Sequence, residues 1–130
     1  MNKAIEEAFV KNYIVSSKRE RLLFELCGKK RSDGINRFCH RVEELLMPSR
    51  IRLCGTDITN DLQDKIATDG QRKCYVISYN DAWDGKEMDK NNILELMIGY
   101  GMPSIAIFED FAIIETEQEQ GPAKKYLLQK

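Results

Sequence analysis

Apolar residues recur at helical spacing through the first half of this chain, and runs suited to a pleated sheet cluster in the second. That order constrains the fold most. Helices made first must pack on strands made mostly later, which points to an α+β arrangement: N-terminal helices on a small, mostly antiparallel and possibly mixed sheet. The clearest helical stripe is Ile35, Phe38, Cys39, Val42, Leu45 and Leu46, at offsets 0, 3, 4, 7, 10 and 11. Met47-Pro48 ends it, because proline disfavours helical geometry in the residue before it. Upstream, Ile5, Ala8, Phe9 and Tyr13 predict a helix over residues 3–13 behind an Asn2 cap. A second helix starts at Ser17, whose spacing to Glu20 is that of a capping box, and ends at Gly28 in a left-handed closure. Residues 29–34 read as a polar connection, 51–54 as a short strand and 56–70 as a further helix.

In the second half, Cys74 to Tyr79 reads as a central strand and residues 80–85 as turn chemistry. Asp89 caps a helix carrying Ile93, Leu96, Met97 and Tyr100, stopped by Gly101 and Pro103. Strands over 104–109 and from 111 to about 119 follow, with their reversal near Glu109-Asp110, and residues 124–128 form a last short element. The alternative is a small three-layer α/β domain in which 75–79 and 105–108 lie parallel, joined by a right-handed helical crossover.

A length of 130 residues suits one domain with a core that needs no metal or disulfide. Cys27, Cys39, Cys54 and Cys74 form no C-x-x-C pair, and reduced structural thiols are expected. No apolar run approaches the roughly 18–20 residues of a membrane span, and the first residues lack the apolar region of a secretory signal. The expectation is a cytoplasmic protein with no membrane association, no metal and no cofactor.

Charge is balanced overall but unevenly placed. Residues 16–52 hold ten basic and five acidic side chains, whereas residues 81–120 hold ten acidic and two basic. Lys29, Lys30, Arg31, Arg37 and Arg41 are the candidate anion-binding patch. His40 lies beside them on the polar face of the third helix, where it is the candidate acid or base of an enzyme acting on phosphate-bearing substrates. Nucleic acid is the weaker ligand for this patch, since Phe24 and Phe38 read as apolar core positions and not as stacking surfaces. At the other pole, an extended 111–120 would place Glu115, Glu117 and Glu119 on one face as a carboxylate ladder. Their spacing of about 7 Å is too wide for one small cation and suits a row of Lys or Arg on a partner. Trp83, the lone tryptophan, is a candidate anchor. The leading expectation is a non-catalytic domain, an adaptor or a neutraliser in the manner of immunity proteins, that docks a basic protein through acidic residues. The alternative is an enzyme or binder of phosphate-bearing or nucleic-acid ligands at the basic helix around His40.

Overall fold

The computed structural model describes residues 1–117 and 123–130. Helices α1 (Lys3–Tyr13), α2 (Arg19–Cys27), α3 (Arg31–His40) and α4 (Val42–Leu45) come first, followed by β1 (Ile51–Gly55) and α5 (Thr59–Thr68). After these come β2 (Lys73–Ser78), β3 (Lys86–Asp89), α6 (Ile93–Leu96), β4 (Ser104–Ile107), β5 (Phe111–Glu115) and β6 (Lys125–Gln129). The strands form one sheet in the order β1-β6-β5-β4-β2-β3, and every neighbouring pair is antiparallel. The α+β expectation therefore holds. Strands β2 and β4 are neighbours, but Tyr75 faces Ile107 and Ser78 faces Ser104, so the parallel crossover of the alternative does not form.

Successive residues on a strand point to opposite faces, and here both faces are covered. Tyr75, Ile77, Ile105, Ala112, Ile114, Tyr126 and Leu128 pack with residues of α1 to α4. Their alternates Val76, Ala106, Phe111, Ile113 and Leu127 pack with α5 and α6. The central strands accordingly read as apolar runs without polar alternation, the pattern of a sheet buried on both sides.

Several boundaries differ from the sequence reading. Asn2 does cap α1, its side chain accepting from the Ile5 amide at 3.2 Å. Ser17 does not cap α2: it lies in a 3₁₀ turn over Ser16–Lys18, and α2 starts at Arg19 without a side-chain cap. Gly28 closes α2 in extended backbone (φ −98°) instead of the left-handed form. The long third helix is two, α3 and α4, broken at Arg41 (φ −121°, ψ 28°), and α3 begins inside the expected connection. The expected helix from Asp89 shrinks to a 3₁₀ turn and the four residues of α6, and residues 86–89 before it pair with β2 as an edge strand. Asp89 still caps that turn through the Asn91 amide at 2.9 Å. Strand β5 ends at Glu115.

Cys39 and Cys74 are buried, as expected of small apolar fillers, and burial pushes the Cys74 thiol up to about 12. Cys27 and Cys54 are exposed.

Candidate functional site

Strand register brings four polar residues together at one end of the sheet. Ser78 faces Ser104, Ser104 faces Glu115 and Glu115 faces Lys125, which makes a polar row across β2, β4, β5 and β6. All four are buried, and alternation puts them on the α5/α6 side. The two serine hydroxyls are 2.9 Å apart. Glu115 is 0% exposed; its Oε1 accepts the Gly99 amide at 2.8 Å and lies 3.8 Å from Lys125 Nζ. Its Oε2 has no hydrogen-bond partner among the described residues. Burial raises the Glu115 carboxyl above the usual carboxylate range, against the opposing pull of the Gly99 amide and Lys125. The chain reaches over this carboxyl through Gly99 (φ 100°) and Gly101 (φ 69°), backbone conformations that glycine adopts without strain.

The carboxylate ladder is thereby corrected. Glu115 is an interior residue of a central strand, Glu117 is exposed just beyond the strand, and Glu119 lies outside the described residues. What remains at this end is a cluster of loops. Tyr79 follows β2, with its amide donating to Pro103 O at 2.9 Å, while Leu96, Tyr100 and Met102 come from the end of α6 and the glycine loop. All four are exposed, Tyr100 at 65%. The Tyr100 hydroxyl donates to the Glu95 carbonyl, folding the loop back on α6. Asp81 and Glu95 lie exposed on the same segments, whereas Glu117, exposed beyond β5, lines the cavity beside His40. Trp83 is half-buried against the α5/α6 core and shapes the β2–β3 loop.

A Glu115→Gln variant tests the buried carboxyl. Because the folded state raises its proton affinity, the carboxyl's contribution to stability is complete at pH values below its ordinary range and is lost as pH rises through the raised value. Glutamine keeps the acceptor for Gly99 and cannot ionise. Thermal midpoints of wild type and variant should converge near about pH 4 and separate in favour of the variant toward neutrality. Parallel curves would show that the carboxyl is not held protonated.

The predicted basic patch divides in two. Arg31 turns inward and is buried: Nη1 and Nη2 donate to Glu6 at 2.6 and 2.7 Å, and Nε and Nη2 donate to Asp84 at 2.8 and 3.0 Å. Tyr75 adds its hydroxyl to Glu6 Oε2 at 2.6 Å, and the Ser78 amide donates to Asp84 at 3.1 Å. Burial opposes the charge on Arg31, but its hydrogen bonds to Glu6 and Asp84 outweigh it and raise its pKa. Arg31 is thus an internal tie between the basic and acidic halves and not an anion ligand. Lys29, Lys30, Arg37 and Arg41 do remain exposed. Arg37 finds Glu25 at 3.5 Å and Arg41 finds Glu44 at 2.7 Å, both within the helical half.

His40 ends α3 and lines a cavity of about 350 Å³ with Glu43, Glu44, Thr116, Lys124 and Tyr126. Arg41 reaches this cavity, whereas Lys30 and Arg37 line a different one, so the structure does not assemble the expected His40 and anion-holder set. Among the described residues no group of three or more His, Cys, Asp or Glu side chains could hold a metal ion, and no helix is long and apolar enough to cross a membrane.

Sequence reasoning missed both buried ionic groups, although each carried a signal. Glu6 falls within the helical stripe of Phe9, Val10 and Tyr13, and a carboxylate in such a stripe requires a buried cation. Glu115 ends an unbroken apolar strand, with Lys125 opening the next. Comparison of the chain with protein-family models, with curated proteins and with solved structures finds no match.

Proposed function

We propose that this chain is a non-catalytic binding domain that docks a basic protein surface on the loop end of its sheet. The observation that carries the reading is the gathering of exposed Tyr79, Leu96, Tyr100 and Met102 on the loops at that end. Large apolar side chains left in water gain most when a partner covers them, and Tyr and Met are enriched where protein interfaces concentrate their binding energy. Asp81 and Glu95 supply an acidic rim, which speeds encounter with a basic partner and makes it salt-sensitive. The groups at this end with chemical potential, Ser78, Ser104, Glu115 and Lys125, are sealed beneath the loop, which favours recognition over catalysis. Relative to the ladder expectation, the interface shifts from three glutamates to aromatic anchors with an acidic rim. The exposed free thiols Cys27 and Cys54 accord with a reducing, cytoplasmic setting.

The test is capture from native lysate by the full chain and by two variants, Tyr100→Ala/Met102→Ala and Asp81→Lys/Glu95→Lys. The wild type should retain a protein of net positive charge. Each variant should retain it at least about tenfold less, the scale of losing one anchor residue. Moderate salt should weaken the wild-type complex. An identical bound set for all three proteins would remove the proposal.

A further inference from the structure

A second surface lies on the opposite, helical side of the sheet. Helices α2 and α3 pack closely: a Cβ at Gly34 would come within 2.8 Å of Glu25 Cβ. Where they diverge, two adjoining cavities open, of about 300 and about 830 Å³, and both are lined by Arg21, Glu25 and Arg37. The first adds Lys18 and Arg41 over an apolar floor that includes Leu22 and Phe38. The second adds Lys29 and Lys30 beside Phe24. Six cations therefore border one groove, against Glu20 and Glu25. Glu25 Oε1 lies 3.2 Å from Arg21 and 3.5 Å from Arg37, which holds both guanidinium groups at the groove.

Phe24 decides the ligand class. Its position in an apolar stretch suggests a core residue, yet it is 78% exposed, among the most exposed large apolar side chains described. Arg21, Phe24, Glu25 and Gly28 follow one another at offsets 0, 3, 4 and 7, so the ring stands on the same helix face as the cations. An aromatic face flanked by Arg and Lys is what a single-stranded nucleic acid uses: cations take phosphates and the ring stacks a base. An acidic peptide would use the cations and leave the ring unexplained. We infer that the α2–α3 groove binds a short single-stranded polynucleotide, with Arg21 and Arg37 on phosphate and Phe24 stacked on a base. This site is independent of the loop-end surface.

The experiment is fluorescence anisotropy with labelled single-stranded oligothymidylate, oligouridylate and polyglutamate, using the full chain. Saturable binding of one or both oligonucleotides is expected, and a preference between them identifies DNA or RNA as the source. With Arg21 and Arg37 each engaging a phosphate, the slope of log K against log salt should be about −1.4. Arg21→Glu/Arg37→Glu should lower affinity more than tenfold and flatten that slope. Phe24→Ala should lower affinity about tenfold with the slope unchanged, since stacking releases no counterions, and Phe24→Trp should restore it. Glu25→Gln frees both arginines from a competing carboxylate and should tighten binding severalfold. No oligonucleotide binding at low salt, equal binding of polyglutamate, or an unaffected Phe24→Ala variant would each overturn the inference. None of these substitutions touches the loop-end residues, so basic-partner capture should be unchanged by them.

Discussion

An Arg31→Met substitution is expected to cost about 3–5 kcal/mol of stability, the scale of breaking a buried ion pair from one side. Arg31 occupies the space between α1, the start of α3 and the β2–β3 loop, and it neutralises two buried carboxylates there, Glu6 and Asp84. Removing it leaves both carboxylates without their shared cation in a largely buried site. The loss is large against the roughly 5–15 kcal/mol that holds a typical domain folded. Urea unfolding should show a lower midpoint with little change in slope, because the fold and the area exposed on unfolding stay the same. Replacing the group as a unit, Glu6→Met/Arg31→Met/Asp84→Asn, should recover most of the loss, since no buried charge is left unpaired. Asparagine is chosen at position 84 because the Ser78 amide still needs its acceptor. If Arg31→Met cost under about 1 kcal/mol, the guanidinium would have to be solvated, contrary to its bonded position.

Ile113→Ala and Ile114→Ala should each cost about 2–5 kcal/mol, and by similar amounts. The comparison matters more than either number. These neighbours on β5 point to opposite faces, Ile113 into the core with α5 and α6 and Ile114 into the core with α1 to α4, and both are 0% exposed. Each truncation leaves a cavity in a separate packed layer. A sheet covered on one side would lose stability at one position and almost none at the other. Because the sites share no packing layer, the double variant should be close to additive, although adjacency through the backbone leaves room for some coupling. Thermal or urea denaturation of the two single variants and the double variant checks this directly.

Local pattern was enough for elements whose partners lie within a turn or a strand. The stripe Phe9, Val10, Tyr13 with the Asn2 cap defines α1, and the β-branched and aromatic run before Ser78 defines β2, because helical and pleated periodicities are properties of neighbouring residues. Edge strand β3 was not legible: Lys86-Glu87-Met88-Asp89 has the composition of a loop and becomes a strand because β2 offers it hydrogen bonds. Phe24 was misread for the opposite reason, since an apolar residue in a helix says nothing about whether another element arrives to cover it.

The amino-acid sequence by itself determined that helices precede a sheet, that basic and acidic side chains separate along the chain, and that β5 would be strongly apolar. Only the tertiary structure decided which charges stay at the surface. Arg31 and Glu115 went inside while Arg21, Arg37 and Glu117 stayed out. The reason is physical: a charge can be buried only where distant segments supply its counter-charge or hydrogen bonds, as Glu6, Asp84, Gly99 and Lys125 do, and such partners are fixed by packing across the whole chain.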